Sequence, residues 1–182
     1  MMNRYFILLS YDGTAYHGWQ VQPNAITVQD VLNRDISVIL GQEVSLTGCG
    51  RTDTGVHARE FYAHFDSPRD DLAKNSELVF RVNGKLPPDI CIHEILGVRP
   101  EAHARFDAVS RTYEYHICRS KEVFNRPYTH YIYGAINTEA MRQGAGILKE
   151  YTDFTSFSKL DTDVKTNDCR IMEAGWEING DR

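Results

Sequence analysis

A chain of 182 residues, 42% of them hydrophobic and 25% charged, has the make-up of a water-soluble globular protein of one domain or two small ones. No apolar run reaches membrane-span length, and the N-terminal apolar stretch runs into Asp12-Gly13 without a small-residue cleavage site, which speaks against an integral membrane protein and a secretory leader. The net charge of -5 argues against a generally basic nucleic-acid coat, although Arg99, Arg105, Arg111, Arg119, Lys121 and Arg126 give one stretch a local basic bias.

Arg4 to Tyr11 reads as a strand too continuously apolar for a sheet edge, closing on the turn Asp12-Gly13. Thr14 to Pro23 reads as a loop with Tyr16, His17, Trp19 and Gln20, whose aromatics can stack bases, with Trp19 folding back onto the core as the alternative. Thr27 to Leu40 is an amphipathic helix with Thr27 as N-cap and Gly41 as terminator. Val44 to Thr47 and Glu60 to Asp66 follow as strands, the latter alternating Phe61, Ala63 and Phe65 against Tyr62, His64 and Asp66. Asp70 to Val82 reads as a second helix and Asp89 to Val98 as a fourth strand, behind the breaker Pro87-Pro88.

The order β-α-β-β-α-β predicts an α+β protein with a ferredoxin-like half over 1-98, its helices on one face of a mostly antiparallel sheet. A second half, over 99-182, then begins: a strand over Phe106 to Cys118, a short one at Tyr131 to Tyr133, a helix over Thr138 to Lys149 and a strand over Cys169 to Ile178. It stops short of a full βαββαβ set, so this half is either smaller or incomplete.

The densest chemistry lies in Gly48-Cys49-Gly50-Arg51-Thr52-Asp53-Thr54-Gly55-Val56-His57-Ala58. Glycines at this spacing permit turns closed to other residues and close approach of a ligand. In an extended segment Arg51 and Asp53 share a face, and a guanidinium within about 4–6 Å favours an ionised carboxylate. That suits a carboxylate nucleophile or base; a plain surface turn is the alternative. Cys49, Cys91, Cys118 and Cys169 lie far apart and the histidines have no ligand spacing, so neither a disulfide framework nor a metal site is predicted, and reduced thiols point to the cytoplasm.

Six blocks along the chain resemble the tRNA pseudouridine synthase A family. Tyr11-Asp12-Gly13-Thr14-Ala15-Tyr16-His17-Gly18-Trp19-Gln20 is similar to its opening motif and Gly50 to Ala58 to its catalytic motif. Leu86-Pro87-Pro88-Asp89-Ile90, His103-Ala104-Arg105-Phe106, Arg111-Thr112-Tyr113-Glu114-Tyr115 and Asp153-Phe154-Thr155-Ser156-Phe157 follow in the family's order. The resemblance implies an isomerase that converts uridine to pseudouridine on the 3′ side of the tRNA anticodon stem-loop, as a homodimer, with no cofactor or metal. It implies Asp53 as the catalytic carboxylate, Arg51 as its partner in displacing the target base, and Tyr113 as the surface on which the extruded uracil stacks. His57, Arg105 and Arg111 are the further candidates for contacts to the RNA.

Departures from the family pattern are Thr152 in place of a His, Ala102 in place of a Phe, and the lack of a C-terminal segment bearing a basic residue that contacts the catalytic Asp and an apolar residue flooring the uracil pocket. The chain is therefore expected to be a shortened member. A non-catalytic tRNA-binding module on the same scaffold is the competing function. Glycosidic hydrolysis is the weaker one, because it normally needs a second carboxylate.

Overall fold

A computed structural model describes residues 2–158 and 166–179. The chain divides into two compact units, Met1–Tyr113 and Glu114–Arg182. In the first, β1 (Asn3–Tyr11) is followed by α1 (Val28–Leu40), β2 (Thr47–Gly48), β3 (Ala58–Ser67), α2 (Ser76–Lys85) and β4 (Ile90–Val98). The strands form one sheet in the order β2-β3-β1-β4, with every neighbouring pair antiparallel. β1 is central, as its continuous apolar run requires: Tyr5, Ile7, Leu9 and Tyr11 are buried on one face, while Phe6 and Leu8 are half-buried on the other.

The buried face joins Val28, Val31, Leu32 and Ile36 of α1 and Leu78 and Val82 of α2 in a single core with Phe61, Ala63 and Phe65 of β3. α1 begins where Thr27 accepts from the Asp30 N–H and ends where Gly41 turns left-handed at φ 66°. Asp35 lies on the buried side of α1 and keeps both carboxylate oxygens on the guanidinium of Arg34.

Two expected elements move. The strand expected over Val44 to Thr47 is reduced to Thr47–Gly48, because the helix occupies the backbone ahead of it: Ser37 Oγ takes the Val44 N–H, Asn33 Oδ1 takes the Leu46 N–H, and Gln29 donates to the Leu46 carbonyl. Val44 and Leu46 are still buried, from irregular backbone. The helix expected from Asp70 starts only at Ser76, where Asn75 caps it, and Lys74 immediately before sits at φ 53°.

Residues 99 to 107 fold back onto the sheet of the first unit. Arg4 donates to the Ala102 carbonyl, the Ala104 N–H bonds to His64 Nδ1, and Ala102 and Ala104 are buried. Arg4 also holds the Asp66 carboxylate in a two-point pair and keeps it below the usual carboxylate range.

In the second unit, β5 (Ile117–Cys118) pairs in parallel with β6 (His130–Tyr131), and α3 (Thr138–Leu148) is capped by Asn137. The longer strands expected here are not formed. Phe106 to His116 is irregular apart from turns, Tyr131 to Tyr133 keeps only its first residue in β6, and the stretch from 169 to 179 has no ladder. A strand needs a ladder of paired backbone groups, and these stretches keep only isolated bonds, such as the Cys169 N–H on the Thr152 carbonyl and the His130 N–H on the His116 carbonyl. Asp153 and Asp168 pair in a single antiparallel bridge, and residues 159–165 between them lie outside the described residues. No described helix is long and apolar enough to cross a membrane.

Candidate active site

The loop from Cys49 to His57 leaves β2, presents Asp53, and re-enters the sheet at β3. Its own backbone closes one turn, the Val56 N–H bonding to the Asp53 carbonyl. The elements behind it hold it further. The Trp19 N–H donates to the Thr52 carbonyl at 3.2 Å, and the Gly55 N–H donates to the Tyr16 carbonyl at 3.3 Å. The hydroxyls of Tyr11 and Thr52 meet at 3.0 Å, and the Cys49 N–H reaches the Tyr62 carbonyl at 2.7 Å. Asp53 is thus an exposed carboxylate on a backbone fixed on both sides of it.

The close fit explains the glycines that face the loop. A side chain at Gly13 would place its Cβ 2.1 Å from the Val56 carbonyl oxygen, and one at Gly18 would come 2.2 Å from the Thr52 carbonyl oxygen. Gly18 also stands at φ 83°, where glycine costs least. Behind the loop, Tyr11, Trp19 and Phe61 form an aromatic cluster, with Trp19 and Phe61 centroids 4.3 Å apart. Trp19 and Tyr16 are therefore core residues, which settles the choice left open by the sequence. Tyr16 donates to Asp89 at 2.6 Å, and burial pushes its phenol up; burial likewise pushes Tyr11 up to about 12.

The candidate residues fall into two groups. Arg51 and Asp53 are exposed on the loop, and Tyr113, 64% exposed, lies near enough to Tyr11 to bear on its ionisation. Arg105 is exposed with its guanidinium 5.9 Å above the Phe106 ring. His57 and Arg111, by contrast, face the protein. His57 Nδ1 lies 2.9 Å from the Asp12 carboxylate and 3.1 Å from the Gly13 N–H. Arg111 Nη2 donates to the Cys49 carbonyl at 2.6 Å and to the Arg105 carbonyl at 3.1 Å.

Sequence reasoning missed the bracing role of Tyr11, Thr52 and Gly18. The available signal was their position inside the two motifs, Tyr11 and Gly18 in the opening one and Thr52 in the Gly50 to Ala58 one. Among the described residues no three His, Cys, Asp or Glu side chains gather as metal ligands.

The curated proteins that the chain resembles share one family name. The chain is 50% identical over 175 residues to the tRNA pseudouridine synthase A of Bacteroides thetaiotaomicron, a match spanning 96% of this chain and 64% of the relative. To the protein of the same name from Parabacteroides distasonis it is 47% identical over 182 residues, covering 99% of this chain and 71% of the relative. The Ruminiclostridium cellulolyticum protein, also so named, is 36% identical over 179 residues, covering 97% and 71%. No family model matches the chain. This protein belongs to the tRNA pseudouridine synthase A family, and it spans about two thirds of the length of the curated relatives it matches, 64% to 71%.

Proposed function

We propose that this protein isomerises uridine to pseudouridine in the anticodon stem-loop of tRNA, with Asp53 as the catalytic carboxylate. One observation carries the reading: Asp53 is exposed on a loop whose flanking residues Thr52 and Gly55 are bonded to the Tyr16–Trp19 segment behind it. A carboxylate so mounted can meet a sugar and base brought to it without the loop yielding.

The reaction breaks the N1–C1′ bond, turns the uracil, and joins C5 to C1′. The C5 hydrogen leaves as a proton and N1 gains one, so nothing is oxidised or reduced. An ionised Asp53 serves this whether it attacks C1′, adds at C6 of the ring, or takes a sugar proton. Any of these requires the nucleotide to leave its stack, at a cost of a few kcal/mol in a helical stem.

Arg51, exposed two residues before Asp53, fills the vacated space in this reading. Tyr113 offers the extruded uracil an aromatic face. Arg105 and His57 are the candidates for contacts to the RNA backbone. The same reading takes the protein as a cytoplasmic homodimer built from two ferredoxin-like halves.

The test is to incubate the protein with unmodified tRNA and analyse fragments of the product. Pseudouridine appearing in the anticodon-arm fragment supports the reading. Tight tRNA binding with every uridine unchanged would replace it with a non-catalytic binding module.

A further inference from the structure

Arg111 lies at the place where the loop leaves β2. Its Nη2 has two hydrogens, and each is directed at a backbone carbonyl: Cys49 O, in the loop's first turn, and Arg105 O. The approach is close. A Cβ at Gly50 would lie 3.3 Å from Arg111 Nε and 3.9 Å from its Cδ, so glycine leaves the guanidinium room to cross the loop there.

Arg105 O is itself a fixed point. The turn that carries it is closed by the Arg105 and Phe106 N–H groups on His103 Nδ1, and it is pinned to β3 by the Ala104 N–H on buried His64. The rings continue the connection inward, with His103 against Phe106 at 4.2 Å, His64 against His103 at 4.6 Å, and Phe6 of β1 stacked on His64 at 5.8 Å. Two carbonyls on one planar guanidinium make a defined bridge, which an ammonium on a flexible stem does not reproduce.

We propose that Arg111 is a positioning residue for the isomerisation: it clamps the Cys49-Gly50 turn to the His103–Phe106 turn, and thereby fixes the loop bearing Asp53 against the segment that leads to Tyr113. The proposal rests on the reading of Asp53 as the catalytic carboxylate. It differs from a phosphate contact in what it controls: the placement of the reacting groups, and not the grip on tRNA.

The experiment compares the full chain with its Arg111→Lys variant, which keeps the positive charge and loses the fork. Amide hydrogen exchange is followed over residues 49–57 and over β3. The single-turnover rate at saturating tRNA and the tRNA Kd are measured across a salt series.

The clamp predicts exchange in the loop faster by about tenfold, the worth of a charge-assisted hydrogen bond, with β3 unchanged. It also predicts a turnover rate lower by about 10- to 100-fold, with Kd and its salt slope unmoved. Unchanged loop exchange, with Kd weakened and the salt slope reduced by about one, would overturn it and make Arg111 a phosphate contact. A wild-type protein that makes no pseudouridine, while the variant still loosens the loop, would overturn the isomerase reading and leave the clamp standing.

Discussion

The hydroxyls of Tyr11 and Thr52 share a hydrogen bond of 3.0 Å, joining the last residue of the central strand to the residue immediately before Asp53. Tyr11 is buried against Trp19 and Phe61, so the strand, the aromatic cluster and the loop form one connected support. A rigid element directly behind the loop fixes the backbone that carries Asp53.

Tyr11→Phe removes that hydrogen bond and keeps the ring. Stability is expected to fall by about 0.5–1.5 kcal/mol, the net worth of a neutral hydrogen bond. Turnover should fall further than so small a loss of folded protein explains, because the lost bond adjoins Asp53. Denaturant midpoints and single-turnover rates on the same preparation check this.

Gly18 and Gly41 both lie at positive φ, but only Gly18 faces the loop, with its Cβ position 2.2 Å from Thr52 O against nothing within 4 Å at Gly41. Gly41→Ala should cost about 1 kcal/mol, the left-handed strain alone. Gly18→Ala should cost that and more, by about 1–3 kcal/mol, and should depress activity. Equal losses in thermal or chemical unfolding would mean that the Gly18 contact with the loop is not tight.

Trp19→Ala should destabilise the protein by about 3–5 kcal/mol, as for a large aromatic lost from a core. A residue serving only to stack bases would instead leave the unfolding midpoint nearly unchanged and weaken tRNA binding.

His64 supplies a pH dependence. Burial, with Arg4 and His103 close by, lowers its imidazole from 6.5 to about 4, against a smaller opposing effect of Asp66. The unfolded chain therefore takes a proton that the folded chain refuses, so stability falls as pH drops from about 6.5 toward 4 and is unaffected by this group above that window. Asp66, held ionised first by its hydrogen bond to Arg4, adds a further loss as pH falls through the ordinary carboxylate value of 3.8 and below. His64→Asn, whose side-chain oxygen can take the Ala104 N–H, should flatten the window from 6.5 to 4; an unaltered stability profile would contradict this account of His64.

Much of this was legible in the sequence wherever local signals and tertiary packing agree. The apolar run of β1 demanded a central strand, and Thr27 and Gly41 bounded α1 within one residue. Misreadings arose where burial is achieved without regular backbone. Leu72 is fully buried from irregular backbone, ahead of a helix that begins only after Asn75. Val44 and Leu46 are buried while side chains of α1 take their backbone groups, so an alternating pattern did not become a ladder.

Arg111 to Ile117 and Cys169 to Ile178 have strand-like composition, yet only Ile117–Cys118 pairs. The inward use of Arg111 and His57 was not legible, because a basic residue reads the same in sequence whether it meets a phosphate or a protein group.

The central claim is that Asp53 drives formation of the new C5–C1′ bond, and tritium release from tRNA labelled at C5 of uridine tests it most directly. The account predicts release by the protein and none by its Asp53→Asn variant, with tRNA binding retained in both. Release undiminished in the variant would place the catalytic carboxylate elsewhere and contradict the account.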